Sequence, residues 1–123
     1  MSSRFDWGGF LALAEELALR QDEASKRTAI SRAYYCVFHH ALVLVESESM
    51  AIPKTGAAHD AVWDILMKAG GRRRQIGDSG RGLRTMRRIA DYEPVLWRLD
   101  WTTATALVQA RWAMKLLDVE FRG

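Results

Sequence analysis

Residues 27–42 read Arg-Thr-Ala-Ile-Ser-Arg-Ala-Tyr-Tyr-Cys-Val-Phe-His-His-Ala-Leu. Ala29, Ile30, Ala33, Tyr34, Val37, Phe38, Ala41 and Leu42 recur there in steps of three and four, and Val45 continues the series. That spacing is one face of an α-helix. Asp22, with Ser25 as an alternative, supplies a capping side chain, so the pattern predicts a helix from there to about Val45. At 1.5 Å per residue it is about 35 Å long, the central mast of a helical bundle.

Outward from this helix the same periodicity returns. A first helix is predicted from Trp7 to Arg20, with Phe10, Leu13, Ala14 and Leu17 on one face. Residues 46–56 hold Pro53 and Gly56 and read as a loop. A third helix over Ala57–Ala69 turns Val62, Ile65, Leu66 and Ala69 inward. The stretch GGRRRQIGDSGRG, residues 70–82, has five glycines in thirteen positions and reads as too flexible for a helix interior. A fourth helix is predicted from Leu83 to just before Pro94, because the residue preceding a proline avoids the helical region. A fifth covers Thr102–Phe121, with Ala104, Leu107, Val108, Met114, Leu117 and Phe121 inward. No segment alternates as a strand does. The expectation is an all-α, up-and-down bundle of about five helices in one domain, residues 1–123.

The composition, 49% hydrophobic and 27% charged, is that of a globular chain. Its single cysteine, Cys36, excludes an internal disulfide and a cysteine zinc cluster, which fits a cytoplasmic protein. The longest run without charge, Ala33–Val45, is interrupted by Tyr34, Tyr35, His39 and His40 and is too short to cross a bilayer. Neither a targeting segment nor a membrane association is expected.

Net charge is +3, yet Lys68–Arg88 holds eight basic residues against Asp78 alone, so +7 falls there and −4 on the rest. Seven of the eight are arginines, whose planar fork suits phosphate. Arg72, Arg73, Arg74, Arg81, Arg84 and Arg87 are the candidate RNA or phosphate contacts, against the alternative of a solvated loop.

Candidate chemistry narrows to two blocks. No GxxxxGK[ST], HExxH or GxSxG occurs, and His39, His40 and His59 do not form a metal set by spacing, so neither metal nor cofactor is expected. Arg32 and His39 stand two turns apart on one helix face, where an imidazole could move a proton and an arginine hold developing charge. The alternative is a packed histidine. In the second block, residues 83–94, Arg84 and Arg88 share a face and have no acid one turn on, so both are expected to be free. Arg87 pairs with Asp91 by spacing, and Tyr92 lies one turn beyond Arg88. The candidate catalytic set is therefore Arg88, Tyr92, Arg84, Arg32 and His39. Five tryptophans exceed what so small a bundle can bury, which points to a protein interface.

The run Ala29-Ile-Ser-Arg-Ala-Tyr-Tyr-Cys-Val-Phe-His39 resembles the SRAYYAxFH helix of small prokaryotic HEPN proteins. Leu83-Arg-Thr-Met-Arg-Arg-Ile-Ala-Asp-Tyr92 resembles the LRxxRxxADY helix that follows it in that superfamily, and His59 falls where relatives often carry a histidine. The resemblance spans about residues 5–120. It implies a bundle that homodimerises and acts on RNA, in many members as a metal-independent ribonuclease toxin of a toxin-antitoxin or antiviral defence system. It equally covers a non-catalytic subunit that binds RNA, a nucleotide or a partner protein such as a cognate antitoxin. The family's RxxxxH motif on a late helix is not matched, since Arg87-Arg88-Ile-Ala-Asp91-Tyr92-Glu93 contains no histidine.

Overall fold

A computed structural model describes residues 4–48 and 51–123. Five helices follow one another: α1 (Gly8–Ala18), α2 (Glu23–Ser47), α3 (Ala57–Ala69), α4 (Gly71–Tyr92) and α5 (Leu99–Arg122). No strand occurs among the described residues. The all-α bundle expected from periodicity is the fold found.

Helix α2 is the mast. Asp22 caps it, accepting a hydrogen bond from the Ser25 backbone N–H at 2.9 Å. Ala29, Ile30, Ala33, Tyr34 and Val37 are fully buried, and the helix packs against α1, α4 and α5. Helix α3 instead packs chiefly on α4. The pair is joined at Gly70 and Gly71, with φ of +74° and +57°, values that only glycine adopts freely.

Helix α4 corrects the sequence reading. Residues 71–82 are helical rather than a flexible loop, so α4 runs without a break from Gly71 to Tyr92. The glycines hid its periodicity: Ile76, Gly80, Leu83, Arg87 and Ala90 are buried at steps of four and three. Gly77 and Gly80 let α4 lie directly on α3. A Cβ on Gly80 would come 2.5 Å from Cε3 of the fully buried Trp63, and one on Gly77 would come 3.1 Å from the Trp63 carbonyl oxygen.

The inward faces of α3 and α5 also need correction. Val62 and Leu66 are buried, but Ala69 is exposed. On α5 Leu107 and Leu117 are buried and Met114 partly so, whereas Ala104, Val108 and Phe121 face outward. Leu13 of α1 is likewise exposed, beside the buried Ala14 and Leu17. Both sides of α5 are apolar, so periodicity alone did not separate core from surface.

One side chain ties α4 to α2. Arg27 donates to the carbonyls of Ala90 (2.9 Å) and Glu93 (2.6 Å), and Glu23 steadies it at 2.8 Å. A cation on the orphan carbonyls at the end of α4 complements the helix dipole. It sets the last turn of α4 against the first turns of α2, which brings the two motif blocks together.

Candidate functional site

A cleft of about 340 Å³ opens where α1, α2 and α4 meet. Arg32, Tyr35 and His39 come from α2, Arg87, Asp91 and Tyr92 from α4, and Trp7 and Phe10 from the start of α1. A second cleft of about 630 Å³ continues along α4 past Arg84, Arg88, Ile89 and Glu93, and shares Arg87 and Tyr92 with the first.

Aromatic faces hold the α2 groups. The His39 ring lies flat on Trp7, with centroids 3.5 Å apart and planes 8° from parallel. The Arg32 guanidinium sits 4.6 Å from the Phe10 ring centre and 5.0 Å from that of Tyr35. Cation–π contacts orient it without neutralising it. Its polar contact is a long one, 3.4 Å to the Ser31 hydroxyl, and it has no carboxylate partner among the described residues. Arg32 and His39 line one cleft, but about 10.5 Å of helix rise separates their backbones, and each is held on a different ring, Arg32 on Phe10 and His39 on Trp7. Burial, then His40 and Arg32, lower the His39 pKa, so the ring is neutral near pH 7.

Arg87 is the unusual group. It occupies a core position of α4 and is only 8% exposed. Its terminal nitrogen stands 3.5 Å from Asp91, too far for a good hydrogen bond, and its buried Nε has no partner. The rings of Tyr34 and Tyr35 lie 5.6 and 5.4 Å from its guanidinium carbon. Asp91 is drawn partly away, since it accepts from the Ser31 hydroxyl at 3.3 Å. A buried cation without strong hydrogen bonds is costly, and an anion entering either cleft would relieve that cost.

The other arginines divide. Arg84 is not free as expected, because it pairs with Asp60 of α3, leaving its buried Nε without a partner. The sequence pattern missed this because Asp60 lies twenty-four residues away. Arg88 is exposed, lines the larger cleft beside Tyr92 and has no ion pair among the described residues. Arg72 and Arg73 pair with Glu120, Arg73 also with Glu48, and Arg81 with Asp64. None of Arg72, Arg73, Arg74 and Arg81 lines either cleft. Arg73 stands about 21 Å from Arg87 along the helix.

Sequence reasoning did not find Trp7, Phe10 and Tyr35 as cleft walls. Their only signal was aromatic residues at helical spacing, which a core would also produce. His59 belongs elsewhere: its Nδ1 is 2.5 Å from the Tyr34 hydroxyl, which itself accepts from Trp63 Nε1 at 3.2 Å. With the tyrosine oxygen already accepting, its proton points to His59. Burial, Arg84 and Arg87 lower the His59 pKa to about 4. The Cys36 thiol is buried, which raises its pKa to about 11. Among the described residues no three His, Cys, Asp or Glu side chains converge, and no helix is long and apolar enough to cross a membrane.

Comparison of this chain with protein-family models, curated proteins and solved structures returns no match.

Proposed function

We propose that the paired clefts bind the phosphodiester backbone of RNA, and that the chain is a HEPN-like protein that cleaves RNA without a metal. The observation that carries this is Arg87, a buried guanidinium opening on both clefts with its hydrogen-bonding capacity largely unused. Arg88 and Arg32, both without carboxylate partners among the described residues, stand at either side to take adjoining phosphates. Exposed Tyr92 and the Trp7 wall provide surfaces on which unpaired bases stack.

In the chemistry this suggests, neutral His39 takes the proton of a ribose 2′-hydroxyl and the freed oxygen attacks phosphorus. Arg87 and Arg88 hold the charge that develops on the non-bridging oxygens. Tyr92 gives a proton to the departing 5′-oxygen. The products are a 2′,3′-cyclic phosphate and a 5′-hydroxyl. In a cell this would be a toxin or antiviral defence activity, held in check by a partner.

The rival is a non-catalytic subunit binding RNA, nucleotide or protein. It draws on the missing late-helix histidine and on the stacking of His39 against Trp7, a contact that a merely packed ring also makes. Labelled RNA incubated with the protein in EDTA separates the two. Cleavage with cyclic-phosphate ends, lost in Arg88→Ala and His39→Gln with unchanged melting temperature, supports catalysis. Intact RNA with salt-sensitive binding supports the binding subunit. Absence of RNA binding at low salt refutes the ribonuclease and the RNA-binding subunit alike, and leaves a subunit that binds nucleotide or protein.

A further inference from the structure

A third cleft, of about 550 Å³, lies farther back along α4, where that helix packs on α5. Thr85 lines both this cleft and the larger one beside Arg88. Exposed Asp78, Arg81, Thr85, Arg88 and Tyr92 succeed one another at steps of three and four, which sets them in one row along α4, about 21 Å long. The row leads from the Tyr92 end, where the two RNA clefts meet, to the third cleft. Arg81 holds Asp64 through one nitrogen, at 3.2 Å, and stands two turns from Arg88.

The far end of the row is not built for phosphate. Asp78, the lone acid between Lys68 and Arg88, lines the third cleft with an exposed carboxylate that has no ion pair among the described residues. A free carboxylate repels a phosphate. Gln109 and Trp112, one turn apart on α5, line the opposite side. The Trp112 ring is half exposed and carries neither a second ring nor a cation among the described residues. Gly82 leaves the floor between the helices open, since a Cβ there would meet only Gln109 Oε1, at 3.3 Å. A bare aromatic face beside hydrogen-bond acceptors suits an unpaired base.

We infer that the third cleft is a guanine subsite, in which a base of the bound strand stacks on Trp112 and is read by Asp78. Of the four bases only guanine presents two donors side by side on its Watson–Crick edge, N1–H and N2–H, and one carboxylate accepts both. Arg88 and Arg81 hold the linking phosphates along the row. The subsite therefore gives the strand a preferred register, with a guanine about 15 Å along α4 from Arg88. This inference rests on the reading that the two clefts hold an RNA backbone, and it does not depend on cleavage.

Fluorescence anisotropy of the full chain at low salt tests it, using labelled octauridylate and the same octamer with one guanine, adenine or cytosine moved along it. At one register guanine should bind about tenfold tighter than any other base, the discrimination of one bidentate contact. Asp78→Asn should erase that preference without weakening octauridylate, because an amide offers a single acceptor oxygen and no longer repels the backbone. Trp112→Ala should weaken every octamer about tenfold, since stacking is sequence-tolerant, whereas Trp112→Tyr keeps a ring and should bind as wild type. Octamers bound without a guanine preference, a preference that survives Asp78→Asn, or wild-type affinity in Trp112→Ala would each overturn the subsite, while Arg88→Ala still weakening binding would leave the two RNA clefts standing. If no octamer binds, the RNA reading falls and the subsite with it.

Discussion

Replacing Gly80 by alanine tests the packing of α4 on α3. In an unpacked helix interior the change stabilises by about 1 kcal/mol, because alanine loses less backbone entropy. Here the new methyl would lie 2.5 Å from Cε3 and 2.6 Å from Cη2 of Trp63. That ring cannot move aside cheaply: it is fully buried and its Nε1 donates to the Tyr34 hydroxyl at 3.2 Å. Overpacking of this kind costs about 3 kcal/mol, which leaves a net loss of roughly 2 kcal/mol. For a chain of this size that lowers the melting temperature by roughly 6–10 °C. Gly82→Ala is the control. Its Cβ would meet only Gln109 Oε1, at 3.3 Å, the end of a flexible side chain, so it should stabilise by up to about 1 kcal/mol. Thermal and urea unfolding of both variants measure the difference. Opposite signs are expected. A Gly80→Ala protein as stable as wild type, or two variants that shift alike, would refute the close helix contact.

His59 has a folded pKa of about 4 against an ordinary 6.5, so the unfolded chain binds more protons between those values; its stability contribution is present above pH 6.5 and is lost as pH falls towards 4. His59→Gln, which keeps an acceptor for Tyr34, should flatten the stability–pH curve in that window, as measured by urea unfolding. Arg73→Ala should cost roughly 1 kcal/mol by unpairing Glu48 and Glu120, with the loss shrinking at high salt, while RNA affinity changes little. By contrast, Arg88→Ala should leave melting unchanged and reduce the slope of log affinity against log salt by about 1, measured by fluorescence anisotropy.

Local pattern was enough for the helical class, the mast from Asp22 and the helices α1, α3 and α5, because a core-facing stripe repeats every three or four residues whatever lies opposite. It was also enough to single out Arg32, His39, Arg87, Arg88 and Tyr92, which line two clefts that have Arg87 and Tyr92 in common. It failed where meaning depends on a neighbour distant in sequence. Glycines 77 and 80 read as chain breakers until Trp63 of α3 lies on them. Arg84 read as free until Asp60 arrives from another helix, and Arg72, Arg73 and Arg81 read as part of one basic patch until Glu48, Asp64 and Glu120 pair with them. Arg87 shows the difference most plainly. Its i, i+4 spacing from Asp91 is visible in the chain, but its burial beneath Tyr34 and Tyr35 exists only once α4 is docked on α2. Helix formation responds to neighbours within one turn, whereas charge compensation and burial depend on whichever groups the packed bundle brings within a few ångströms.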